Sequence, residues 1–278
     1  MKSGIIGYPI PSDVPVEQQT HWLIDRCVAL EVEVLHARLF SHEPAYLAGI
    51  RSHLDSAGIE LEISANTSYG SATADIREDL ANAIKTLEVA GQLHLPILRV
   101  GGNGRGANRF TEPPLWRQLE NYVTHLRSLV SAAEANGVVI AVENHCDYRA
   151  DEIARIIEAV DSPWVRAALD TGNAYSVFDE PLADARNLAR FAVTTHLKDM
   201  KIVRLGEPGR VPFLPIGCAL GQGHVDLTTT LRLLAEQAPD AANLRLIVEL
   251  SWVPGGTTAE LFDESVRYLK QHFAEYLN

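Results

Sequence analysis

Two rhythms of apolar and polar positions alternate along this chain. Short uninterrupted apolar runs, rich in Val, Ile and Leu, are followed by stretches in which apolar side chains recur every three or four residues. The first rhythm marks strands buried on both faces, and the second marks helices that bury one face. The spacing predicts strands at Gly4–Tyr8, Glu31–Leu35, Ile59–Ser64, Pro96–Val100, Val138–Glu143, Val165–Leu169, Phe191–Thr195 and Arg245–Val248. Helices are predicted between them. Trp22, Leu23, Cys27 and Leu30 share one face of Gln18–Leu30, and Leu115, Leu119, Val123, Leu126 and Val130 line another helix. Ser41 is placed to cap the second helix, while Gly58 and Gly137 stand where helices should stop. Asp199–Val225 is a long Pro- and Gly-rich connection, of the kind that forms lids or binding loops. Strand–helix units in unbroken alternation give a parallel sheet, and eight of them suggest closure. The expected fold is therefore α/β, a single (β/α)8 TIM barrel over residues 1–278, with an open doubly wound sheet as the alternative.

Four of these strands end alike. Val138-Val139-Ile140-Ala141-Val142 runs directly into Glu143, Ala167-Ala168-Leu169 into Asp170, Val193-Thr194-Thr195 into His196, and Leu246-Ile247-Val248 into Glu249. In a closed barrel all strand ends ring one small mouth, where sites of this architecture are built. A lone carboxylate there is as readily a helix cap or a solvated group. Four metal-type ligands delivered at the same end are a better match to a common ion. Three crowded carboxylates would raise one another's pKa, and a divalent cation relieves the repulsion. Oxygen-rich ligation with one nitrogen favours Mn²⁺ or Mg²⁺, with Co²⁺ and Zn²⁺ as alternatives. Such an ion polarises a carbonyl and stabilises the enediolate formed when the neighbouring proton leaves.

Composition narrows the partners. A net charge of −12 argues against a nucleic-acid surface, which should be basic. No apolar run approaches the ~20 residues of a membrane span. Cys27, Cys146 and Cys218 are odd in number and far apart, which fits a reducing compartment better than a disulfide framework. The first residues lack the apolar core of a signal peptide. The expectation is a cytoplasmic enzyme with a small-molecule substrate and no nucleic-acid or membrane partner; a homo-oligomer stays open. The Gly101–Gly106 loop has no Gly-Lys-Ser/Thr and fits no dinucleotide fingerprint.

Val142-Glu143-Asn144-His145, Leu169-Asp170-Thr171-Gly172-Asn173, His196-Leu197-Lys198-Asp199, Gly221-Gln222-Gly223 and Val248-Glu249-Leu250 together resemble the xylose-isomerase-like barrel superfamily. That superfamily holds sugar (phosphate) isomerases and epimerases, inosose and dehydroshikimate dehydratases, and AP endonucleases. The resemblance implies metal ligation by Glu143, Asp170, His196 and Glu249, and proton exchange with substrate by Glu143 and Glu249. It departs from the ketose epimerases at Asn173, where they usually carry His. It departs from the AP endonucleases in lacking their extra zinc ligands. Arg99, His145 and Lys198 resemble residues of the dehydroshikimate dehydratases. The block Phe213–Gly223, with Glu143-Asn144-His145, is similar to a branch that includes 3-oxo-isoapionate decarboxylases.

Side chains two apart on a strand share a face, so His145 and Lys198 should project beside the ligands that precede them. They are candidates for acid/base work or substrate donation. The alternatives are a hydrogen bond that orients a ligand for His145 and an ion pair with a barrel carboxylate for Lys198. Arg99, Asn173, His36 and Trp252 are the candidates for substrate contact. Arg99 could instead pair with Glu143 or Asp170, Asn173 could serve a turn, His36 could belong to rim or core, and Trp252 could pack in the core rather than wall the pocket. Arg105 and Arg109 are expected in solvent, with an anion contact as the alternative. The expected activity is a metal-dependent isomerase or epimerase of a small sugar or sugar acid. Its rival is a lyase using the same enolate, a decarboxylase or dehydratase. A non-catalytic ligand-binding barrel is a remote third.

Overall fold

Eight parallel strands close into a barrel in the order β1-β10-β7-β6-β5-β4-β3-β2. They are β1 Lys2–Ile6, β2 Val34–His36, β3 Glu60–Ala65, β4 Ile97–Val100, β5 Val139–Glu143, β6 Val165–Asp170, β7 Ala192–Leu197 and β10 Arg245–Val248. Around them run α1 Gln19–Leu30, α2 Pro44–Ala57, α3 Ile76–Gln92, α4 Leu115–Asn136, α5 Ala150–Val160, α6 Pro181–Leu188, α7 Leu227–Gln237 and α8 Ala259–His272. The computed structural model describes residues 1–65, 76–101, 109, 113–206 and 212–278. Arg105 and the Gly-rich loop beyond Gly101 lie outside the described residues. Among the described residues no helix is long and apolar enough to cross a membrane.

The predicted period is right, but several edges move. Glu31 does not begin the second strand; it caps α1 in the left-handed region at φ 51°. Ser41 does not cap α2. Its hydroxyl accepts from Glu43 N at 3.0 Å, and the helix starts at Pro44 behind Glu43. Gly58 (φ 68°) and Gly137 (φ 65°) end α2 and α4 in the conformation glycine favours. The closing helix stops at His272, with a short 3-10 turn at Ala274–Tyr276 after it. The long connection is not irregular throughout: β8 Asp199–Arg204 and β9 Phe213–Cys218 pair as an antiparallel ribbon.

Alternation along each strand separates two interiors. Leu98, Val100, Ile140, Val142, Leu169, Leu246 and Val248 belong to the large core between barrel and helices. The intervening residues face the barrel axis, where Ile97, Ala141 and Ala168 form a separate small apolar cluster. Above it the axis is polar. Glu62, Arg99, Thr194 and Arg245, from four strands, are all buried and touch one another across the barrel. One irregularity in the wall matters for the site. Between β6 and β7 the register shifts from Ala167↔Ala192 to Ala168↔Thr194, a bulge that accommodates Val193. The shift sets Asp170 opposite His196. An unbroken ladder would have set Asp170 opposite Thr195, whose side chain belongs to the other face.

Candidate metal centre

Glu143 is the last residue of β5, Asp170 the last of β6, and His196 the last but one of β7, while Glu249 follows directly on β10. Glu249 N donates to Leu197 O at 2.9 Å, which carries the ladder one step past the strand's formal end. The barrel order β10-β7-β6-β5 makes these four strands consecutive neighbours. One ligand atom from each of Glu143, Asp170, His196 and Glu249 lies within 4.8 Å of all the others. His196 Nδ1 is 3.2 Å from Glu143 Oε1, 3.0 Å from Glu249 Oε2 and 3.8 Å from Asp170 Oδ2. Nδ1 is therefore the nitrogen this cluster offers to an ion.

The donor set fits a divalent cation. Three carboxylates and one imidazole converge with little solvent. Asp170 Oδ2 and Glu249 Oε2 meet the cations Lys198 and His196 there, and an oxygen-rich donor set around one point suits a divalent cation. The charges also lean on one another. Burial alone would raise the Glu249 carboxyl, but Lys198 and His196 hold it well below the ordinary carboxylate range. Burial works the same way on Glu143, and His196 and Arg99 likewise outweigh it. Asp170 is raised, because burial outweighs the attraction of Lys198. Burial disfavours the His196 imidazolium, and Arg99 with it, but Glu249 and Glu143 carry its pKa up to about 9.

The ring is tied down from behind. Asn144 accepts from Asp170 N at 2.7 Å and donates to Asp170 O at 2.8 Å, so it grips the backbone of the neighbouring ligand in both directions. Its amide also donates to Asp184 Oδ2 on α6 at 2.7 Å. Burial pushes the Asp184 carboxyl up to about 8. Asp170 Oδ1 accepts from Gly172 N and Asn173 N at 2.8 and 3.0 Å, which leaves Oδ2 facing the cluster.

Lys198, just past the end of β7, lies against the cluster. Its Nζ lies 2.8 Å from Asp170 Oδ2, 3.0 Å from Glu249 Oε2 and 3.2 Å from Asn173 Oδ1. Burial would lower its pKa, but Asp170 and Glu249 lift it well above the ordinary lysine value, so it stays an ammonium ion. Asn173 serves both the turn and the cluster: its N–H caps Asp170 and its side chain receives Lys198.

His145 lies past the end of β5, where strand alternation no longer fixes its direction. A hydrogen bond with Cys146, helped by the charge on Glu143, outweighs burial and holds its pKa up to about 10. His36 is buried with its ring against His196, the centroids 5.2 Å apart, and meets that ligand and Ser64 rather than open space. Burial lowers its pKa to about 3. Trp252 is exposed at the rim, which removes core packing as its role; its carbonyl accepts from Gly217 N at 2.6 Å.

The expected substrate contact at Arg99 needs correction. Its guanidinium is 1 % exposed and sits beneath the ligands. Nε donates to Glu62 Oε1 at 2.9 Å, one terminal nitrogen reaches Thr194 Oγ1 at 3.2 Å, and the other stands 3.8 Å from Glu143 Oε2. Its main partner, Glu62, was not among the carboxylates expected to pair with it. Arg109 is not in open solvent; it makes a two-pronged pair with Glu152 at 3.0 and 3.0 Å. Glu62, Arg245, Ser64, Asn144 and Asp184 were missed as site-supporting residues. The alternation Leu61-Glu62-Ile63-Ser64 does place two polar side chains on the axial face of β3, and that was the available signal.

The family described as Xylose isomerase-like TIM barrel matches residues 26–272. A 3-oxo-isoapionate decarboxylase of Pectobacterium atrosepticum is 26% identical over 228 residues, which is 81% of this chain and 73% of that protein. A xylose isomerase-like TIM barrel protein from Mycobacterium smegmatis, solved in complex with magnesium, superposes with a TM-score of 0.71 at 16% identity, covering 96% of this chain and 91% of that one. A D-psicose 3-epimerase from Clostridium cellulolyticum H10, solved with D-tagatose, gives a TM-score of 0.70 at 18% identity over 100% and 99% of the two chains. The solved structures share the fold.

Proposed function

Because this chain belongs to the xylose isomerase-like TIM barrel family, we propose that it is a divalent-metal-dependent lyase that decarboxylates a 3-oxo sugar acid. The carrying observation is Lys198. Its ammonium ion sits between two ligand carboxylates, 2.8 and 3.0 Å away, and is buried there. It gives the site a fixed positive charge of its own, next to three carboxylates that would otherwise repel an acidic substrate. Glu143, Asp170, His196 and Glu249 would hold a divalent ion, which would supply Lewis acidity toward the substrate ketone. The carbon–carbon bond to the carboxylate breaks, its electron pair passes into the adjacent ketone as an enolate, and CO₂ leaves. The α-carbon then takes a proton, for which Lys198 and His145 are the two charged donors. The likeness to the decarboxylase of Pectobacterium atrosepticum supports this reading. Mn²⁺ and Mg²⁺ suit the oxygen-rich set best.

Epimerisation is the second reading. Glu143 and Glu249 approach His196 from different strands at 3.2 and 3.0 Å, and two carboxylates are what proton exchange on two faces of one carbon requires. Parallel assays of the Mn²⁺-loaded protein separate the two. One follows CO₂ release from 3-oxo sugar acids and the other follows epimerisation of free ketoses. The lyase reading expects ion-dependent CO₂ release that falls about 100-fold or more in K198M. Ketose epimerisation without CO₂ release would overturn it.

A further inference from the structure

His196 has two ring nitrogens with different neighbours. Nδ1 faces the ligand carboxylates, while Nε2 lies 3.0 Å from His36 Nδ1. His36 in turn places Nε2 2.6 Å from Ser64 Oγ, and Ser64 is exposed at the end of β3. A neutral imidazole carries one N–H, and the nitrogen that binds a metal must be the other one. An ion at His196 Nδ1 therefore requires the proton on Nε2, which must donate. His36 Nδ1 is the acceptor in reach, so His36 carries its own proton on Nε2 and gives it to Ser64. Every link then has one donor and one acceptor. Glu62 is the rival for His36 Nδ1, with Oε1 3.9 Å away. Its oxygens are already taken by Arg99 Nε at 2.9 Å, Thr194 Oγ1 at 2.8 Å and Arg245 at 3.2 Å.

We propose that His36 is a positioning residue that accepts the His196 Nε2–H, locks His196 in the tautomer offering Nδ1 to a divalent ion, and ties that choice to Ser64 at the barrel mouth. The inference rests on the metal reading above and replaces the expected substrate contact at His36. A ligand histidine usually leans on a carboxylate, carbonyl or water. Here the support is a second imidazole, which can accept at one nitrogen only by donating at the other.

The test is calorimetric titration of the full chain with Mn²⁺ in three forms. H36L removes the acceptor. H36N keeps one, since an asparagine side-chain oxygen can occupy the place of the histidine Nδ1. We expect H36L to bind Mn²⁺ about 10- to 100-fold more weakly than wild type, and H36N to recover most of the loss. Nitrogen NMR of the Zn²⁺-loaded wild type should find the His196 proton on Nε2, a readout that needs no variant to fold. An H36L affinity within about twofold of wild type, an H36N as damaged as H36L, or a His196 proton on Nδ1 would each overturn the proposal. Wild-type protein that takes up no divalent ion would overturn the metal reading and this one with it. Uptake by wild type that H36L matches overturns the relay alone.

Discussion

Glu62 holds two guanidinium groups together on the barrel axis. Arg99 Nε reaches one of its oxygens at 2.9 Å, and Arg245 reaches the other at 3.2 Å. Burial would raise its pKa, but the Arg99 and Arg245 guanidiniums bring it down to about 2. Removing the charge strands two buried cations, so E62Q should lose about 3–5 kcal/mol of stability in urea unfolding. The pH dependence follows from the sign of the shift. The folded pKa lies below the about 4.3 of an unfolded glutamate. Its contribution is therefore complete above that value and disappears as the pH falls through it toward about 2, a loss of about 3 kcal/mol. Wild type should weaken over that window while E62Q, already lacking the charge, changes less. A wild-type stability that stays flat below pH 4 would refute the assignment. At this scale the sequence was legible where a polar residue ended an apolar run, as at Glu143, Asp170 and Glu249. It was not legible for Arg99, because its partner Glu62 lies on the neighbouring strand β3, and which axial residues of two paired strands meet is set by their register, here Ser64 opposite Arg99. The further links of this group, to Thr194 on β7 and Arg245 on β10, reach across the axis and exist only after closure.

Among the elements, the β8–β9 ribbon is the part the hydrophobic pattern concealed. Pro215 lies inside β9, and a proline ordinarily argues against a strand. It is tolerated because the ribbon has only two strands: Pro215 pairs with Ile202, whose N–H turns away to His224 Nδ1 at 3.2 Å, so the missing donor falls on an open edge. The Gly221-Gln222-Gly223 turn beyond the ribbon is held by Asp199, whose Oδ2 accepts from Gly221 N at 2.9 Å and Gly223 N at 2.8 Å. A Cβ on Gly223 would overlap the Asp199 carboxylate, so the motif's second glycine is a matter of space. G223A should unseat that carboxylate and cost about 1–3 kcal/mol, the usual penalty for stranding a buried polar group. Hydrogen exchange should quicken at the amides of Gly221, Gly223 and Val225, the last of which donates to Asp199 Oδ1 at 3.2 Å, while β1 to β6 keep their protection. Uniform acceleration across the barrel would show instead that the turn has no stability of its own. The bulge at Val193 was equally hidden, since one inserted residue in an apolar strand leaves the hydrophobic pattern unchanged while it turns His196 toward the axis.

For the molecule as a whole, the ligands occupy four consecutive staves of the barrel wall, β10, β7, β6 and β5. An ion held by these four residues would join half the ring, and the fold is expected to form without it. Lys198 already offsets part of the charge on Asp170 and Glu249, and the apolar core between strands and helices is continuous without any ion. A ligand that binds only the folded state stabilises it by mass action, about 2.7 kcal/mol at a hundredfold excess over its dissociation constant. Chelator-treated protein should therefore melt as a folded chain. Mn²⁺ should then raise its Tm in step with concentration, where a monovalent salt at equal ionic strength does not. E143Q and E249Q should abolish the rise while retaining cooperative melting, because each removes a charge from an over-negative cluster rather than a contact from the core. The closed barrel was readable from eight strand–helix units because each unit is local. The convergence of the four ligands was readable because closure brings every strand end to one mouth. A Tm that ignores Mn²⁺ in wild type but rises in E249Q would mean that the Lys198 ammonium, and not a divalent ion, is the cation these carboxylates are built to hold.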